Sequence, residues 1–116
     1  MLKNIYHLTT QRTWLNAEKE GELVDASLQS EGFIHCAYAG QLVTAANRFY
    51  SGNTELLILE IDRDKTRCEI KDEASSASGI IYPHIYGAIL LQSVTAVFDF
   101  TYDQNSMFLL PPQLNG

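Results

Sequence analysis

Hydrophobic and polar positions along the chain repeat at two periods, and the switches between them mark out most of the elements. Residues 4–9 read as a first strand, with Tyr6 and Leu8 on one face and Ile5, His7 and Thr9 on the other. Thr10 offers an N-cap for a helix over 11–20, with Trp14, Leu15 and Ala17 toward the core and Gly21 as its stop. Over 22–30 the pattern breaks down, and Ser27, Ser30 and Gly32 predict a tight connection. Glu31-Gly32-Phe33-Ile34-His35-Cys36 follows as a short apolar strand, its alternation placing Phe33 and His35 on one face and Ile34 and Cys36 on the other.

A second helix over 41–50 carries Leu42, Val43, Ala46, Phe49 and Tyr50 at helical spacing, ends at Gly52, and projects Arg48 from a different side. The run Leu56-Leu57-Ile58-Leu59, within residues 55–62, is that of a central strand covered on both faces. Asp62-Arg63-Asp64 turns the chain toward a shorter strand at 68–72. A Ser/Ala/Gly run at 74–79 is expected to be a mobile loop, leading into Tyr82-Pro83-His84-Ile85-Tyr86-Gly87. Residues 94–102 alternate as a half-buried antiparallel strand, broken only by Val97. In the tail, Pro111-Pro112 ends any strand or helix at Leu110, and Met107-Phe108-Leu109-Leu110 is expected to dock on the body or on a partner. Strands outnumber helices without alternating with them, which predicts an α+β class, with one domain over 1–102 and a C-terminal tail over 103–116.

Composition narrows the function classes. A chain of 116 residues is expected to fold as one domain without staples. Its apolar runs are too short to span a bilayer, and an N-terminus with no export signal predicts a cytoplasmic location. The net charge of −6, with no stripe of Lys or Arg, argues against a long nucleic acid as partner. Seven acids between Glu55 and Glu73, interleaved with four bases, read as solvated edges and turns. Two cysteines are too few for a disulfide framework and are expected to be reduced core residues.

The chemistry concentrates on the histidines. All three lie inside apolar, aromatic segments, which predicts one shared cleft. Their spacing carries no local metal geometry, the seven glycines form no phosphate-cradling pattern, and Cys36 faces away from His35. What remains is His7, Thr9, His35, His84 and Tyr86, with Arg48 as a possible addition: a set that donates hydrogen bonds to ribose hydroxyls or phosphates and stacks on a planar ring. A nucleotide-like small molecule is the expected ligand.

These segments, in order over about residues 5–100, resemble a family known as domain of unknown function 952 (DUF952). The resemblance rests on Ile5-Tyr6-His7-Leu8-Thr9, on Trp14 with Ala17 and Gly21, and on Ser27-Leu28 followed by Glu31 to Cys36. It continues through Ala46-Asn47-Arg48-Phe49-Tyr50, Leu59-Glu60-Ile61-Asp62 and Pro83-His84-Ile85-Tyr86-Gly87. Family members look like the ADP-ribosyltransferase superfamily in fold, which implies two antiparallel sheets packed at a steep angle, two main helices and a central cleft for NAD. The resemblance further implies that His7 and Thr9 bind ligand and that His35 holds a ribose or phosphate oxygen. Where most of that superfamily has a late-strand glutamate, this chain offers His84 and Tyr86, with Glu31 and Glu73 as candidate acids. The expected function is binding of a nucleotide, NAD or ADP-ribose-like, in a histidine-lined cleft, with ADP-ribosyl or phosphoryl transfer to a small molecule as the chemistry such a cleft could serve. His35 and His84 are its expected catalytic residues, and His7, Thr9, Arg48, Tyr86 and Glu31 its ligand-binding ones. The alternative is a non-catalytic ligand-binding or oligomeric interaction module on the same fold.

Overall fold

The computed structural model describes residues 4–50, 56–75, 78–102 and 108–114. β1 (Asn4–Thr10) runs straight into α1 (Gln11–Glu20), because the Thr10 side chain accepts the Thr13 N–H at 3.2 Å and so satisfies one of the free donors of the first turn. Gly21 ends α1 at φ 85°, a left-handed conformation that a residue without Cβ adopts freely. Trp14 and Ala17 face the core as expected, but Leu15 is half exposed: at ten residues α1 covers the sheet with a narrow stripe.

The stretch expected to be a tight connection is instead built. It holds β2 (Glu22–Leu23) and α2 (Ala26–Glu31), the latter capped by Asp25, whose side chain accepts the Ser27 N–H. One and a half turns of helix are too few for apolar periodicity to show. Gly32, at φ 89°, stops α2 and releases the chain into β3 (Ile34–His35), shorter than the apolar run expected to open on Gly32 as a strand. A 3-10 turn then leads to α3 (Leu42–Phe49), close to the predicted 41–50.

Next come β4 (Leu56–Asp62), β5 (Ile70–Ala74), β6 (Ile81–Ile85), β7 (Ile89–Leu90), β8 (Val94–Tyr102) and β9 (Phe108–Leu109). Strand β5 lies two residues later than expected, after a 3-10 turn begun by Asp62, which is buried and accepts the Asp64 N–H. The expectation that the acids of this region are simply solvated therefore fails at Asp62. In the tail, Leu109 pairs with Thr101 and Phe108 with Tyr102, so the described part docks on the body. Gly52 as a helix stop, Glu55, residues 76 and 77 of the expected loop, and Met107 lie outside the described residues.

The class is α+β, with three sheets rather than the two expected. The largest has the order β1-β4-β8-β9, the second is the short β2-β7 pair, and the third has the order β3-β6-β5. Seven consecutive partners join β1 to β4, and β4 is buried on both faces as its apolar run predicts. On one side Leu56 and Ile58 share a core with Leu42, Ala46 and Phe100; on the other Leu59 and Ile61 share one with Ala17, Ile34 and Ile85. β8 alternates half-buried Val94, Ala96 and Phe98 with exposed Thr95, Val97 and Asp99, as its pattern requires. Among the described residues no helix is long and apolar enough to cross a membrane.

The corner between the first and third sheets positions the site. Ile34 and His35 pair with Ile85 and His84 in the third sheet, and two residues on Ala37 exchanges both backbone hydrogen bonds with Tyr6 of the first, at 2.7 and 2.8 Å. One extended segment therefore edges both sheets.

Candidate functional site

Alternation at this corner does what the sequence implies: Ile34 and Cys36 are buried, while the half-exposed His35 and Phe33 share the other face. His35 lies directly across the ladder from His84, so their rings meet edge to face with centroids 5.2 Å apart. Phe33 lies flat on the His84 ring at 4.1 Å, and that cover leaves His84 only 3% exposed. The next strand supplies Glu73, which accepts hydrogen bonds from His84 Nδ1 at 3.0 Å and from the Tyr86 hydroxyl. The Tyr86 hydroxyl, followed by His84, holds the Glu73 carboxyl below its usual range, and the bond to Glu73 pushes Tyr86 up to about 12. Lys71 Nζ stands 4.9 Å from the Tyr86 ring centroid.

Glu31 reaches the site because α2 ends there, four residues before His35. Its carboxylate lies 2.9 Å from His35 Nε2, and both side chains are about half exposed. His7 enters from β1. It is buried, and its Nδ1–H donates to the His35 carbonyl at 2.7 Å, which fixes the tautomer because a carbonyl only accepts. Burial depresses the His7 pKa, against the opposing effects of that hydrogen bond and of Asp25, whose carboxylate is 4.0 Å from Nε2. Burial also works to raise Asp25, but hydrogen bonds from Ser27 and the nearby histidines hold it below the usual range.

A cavity of about 400 Å³ opens where the two sheets diverge. Tyr6 and Leu8 line it from the first sheet, Tyr82 from the third, Tyr50 from the end of α3, and His35 and Glu31 from the corner. Of the seven expected site residues, His35 and Glu31 line it. The expected cleft shared by three imidazoles is not what the cavity shows: His35 lines it, His84 meets the His35 ring from behind and under Phe33 with Tyr86 beside it, and His7 meets His35 through the backbone carbonyl. His7 and Thr9 stand on the face of β1 opposite Tyr6 and Leu8, away from the cavity wall, because β1 packs against a core on each side. Arg48 is exposed in the last turn of α3.

Sequence reading missed Tyr6, Tyr50 and Tyr82 as cavity walls, and Asp25. Tyr6 was legible as the neighbour of His7 on a strand buried on both faces, whereas Asp25 precedes too short a helix to announce itself. The arrangement offers a carboxylate-oriented imidazole at the wall of an aromatic cavity, a pairing suited to accepting or delivering a proton and to holding hydroxyl groups. Among the described residues no group of three or more His, Cys, Asp or Glu is placed to hold a metal ion.

A family model described as "Protein of unknown function (DUF952)" matches residues 8–97. The X-ray crystal structure of protein CC0527 from Caulobacter crescentus is similar over 97% of this chain and 99% of that chain, at 26% identity and a TM-score of 0.85. The solution NMR structure of the same protein is similar over 91% of each chain, at 26% identity and a TM-score of 0.78. No curated protein matches the chain.

Proposed function

The chain belongs to the DUF952 family, and from that premise we propose that it binds a ribose-bearing small molecule, NAD or an ADP-ribose-like nucleotide, in the cavity beside His35. The observation that carries the reading is the Glu31–His35 pair, 2.9 Å apart, on the wall of an aromatic cavity of about 400 Å³. That volume falls within the roughly 300–1,000 Å³ usual for small-molecule sites. Tyrosine faces suit a planar ring, while the carboxylate and imidazole suit sugar hydroxyls.

The finer reading is an ADP-ribosyltransferase-like architecture with transfer chemistry. In support of it, two antiparallel sheets share one edge segment and part at a cleft. Glu31, one of two candidate acids, stands in that cleft against His35; the other, Glu73, serves His84 and Tyr86. In this reading Glu31 supports positive charge developing at the ribose, and His35 moves a proton to or from the acceptor.

Thermal unfolding of wild type and His35→Ala with NAD, ADP-ribose and a 2′-phosphorylated nucleotide tests the proposal. A ligand at ~100 times its Kd adds about 2.7 kcal/mol, which is several degrees for a domain of this size. The expected result is a wild-type shift with at least one ligand that His35→Ala abolishes while keeping the unliganded midpoint. No shift with any ligand, or an equal shift in both proteins, removes the reading. Product formed on prolonged incubation separates a transferase from a binding module.

A further inference from the structure

We infer that the cavity holds the phosphate-free part of its ligand, a neutral or cationic ring with its sugar, and that any phosphate stays outside and adds little affinity. This rests on the binding site proposed above and narrows what fills it.

Charge is the first ground. The chain has eight Lys and Arg; Lys3 lies outside the described residues, and none of the other seven lines the cavity. Arg63 donates to the Tyr38 hydroxyl at 2.7 Å, and Lys71 is placed between Glu69 and the Tyr86 ring. Among the described residues the acidic side chain in the wall is Glu31. Among the described residues a phosphate entering there meets a carboxylate and no guanidinium or ammonium, and the imidazole in the wall, His35, already faces Glu31 at 2.9 Å, so the phosphate gives up water for a site whose charge is spoken for.

The remaining wall supports the same division. Burial pushes the Tyr50 hydroxyl up to about 12 and raises the Cys36 thiol, so both stay neutral and protonated. Tyr6, Tyr50 and Tyr82 line the cavity, and aromatic side chains attract a planar ring, more strongly one carrying positive charge. Sugar hydroxyls can donate to the Glu31 carboxylate, which a phosphate without a proton cannot do.

Titration calorimetry of the full chain tests this with adenosine and nicotinamide riboside, each beside its 5′-monophosphate, and with ADP-ribose. The expected result is that at least one nucleoside binds within about tenfold of its monophosphate, and that Glu31→Gln, with its circular dichroism unchanged, weakens that nucleoside by about tenfold. If every monophosphate that binds does so more than about tenfold tighter than its nucleoside, the inference is overturned, as it is by nucleoside binding indifferent to Glu31→Gln. Binding of ADP-ribose without either nucleoside overturns it while leaving the nucleotide reading in place. Binding of none of the probes overturns both.

Discussion

The first and third sheets are built to opposite rules. In the first, β1 and β4 are joined through seven consecutive partners, and β4 carries apolar side chains into a core on each face. In the third, β3 contributes two residues, and the face that bears His35, His84 and Glu73 is made of groups that bond to one another. The reverse face of that sheet, with Ile34 and Ile85, joins one hydrophobic core, and on the site face Tyr82 joins the other. Burial and pairing concentrate in the first ladder, and the proposed ligand site lies on the other. Substitutions in one should cost folding free energy, and substitutions in the other should cost ligand.

The largest effect expected is at β4. Ile58→Ala removes a fully buried side chain between β4 and α3 and should cost about 2–5 kcal/mol in urea unfolding. A loss under about 1 kcal/mol would mean that the first sheet is not the structural one. Gly87→Ala comes next, because its Cβ would lie 2.2 Å from Cys68 Sγ. It should cost about 1–3 kcal/mol, most of it recovered in the double variant with Cys68→Ala. Failure of the second change to rescue the first would place the strain elsewhere.

Gly32→Ala puts a Cβ at φ 89° in the joint between α2 and β3 and should cost about 1–2 kcal/mol. Because that joint sets Glu31 against His35, the variant should also weaken binding, which calorimetry would show. His7 gives a smaller, pH-dependent effect. Its native pKa lies below the ordinary 6.5, so the stability linked to it is complete above that value and is lost as pH falls through the native pKa. Unfolding midpoints at pH ~7.5 and ~5.5 should therefore fall further in wild type than in His7→Asn. Parallel falls would contradict a buried neutral imidazole. Smallest in stability is His35→Ala, about half exposed and expected to change folding by within ~0.5 kcal/mol.

How far the sequence revealed these two ladders follows from the same contrast. Strand β4 was legible because four successive apolar residues have few other uses, and α1 because Thr10 and Gly21 bracket it. A cleft was anticipated from the apolar surroundings of the imidazoles, but its lining was not: of the three, His35 reaches the wall. Strand period sorts Tyr6 from His7 without saying which face opens on space, and here both faces of β1 are buried. Helix α2 escaped notice because six residues hold too little periodicity, and Gly32 read as a turn rather than as the end of a helix. Glu73 was a candidate acid by its place in the sequence alone, since its tie to His84 and Tyr86 depends on the pairing of β5 with β6, which no local pattern encodes.

The measurement that most directly tests a ligand site at His35 is an NMR titration following the imidazole and tyrosine ring signals as ADP-ribose is added. Saturable shifts are expected at His35, Tyr50 and Tyr82, with the exposed Leu15 and Val97 methyls unmoved. Saturable binding that leaves His35 unperturbed, or that perturbs only residues remote from the cavity, would contradict a site at His35.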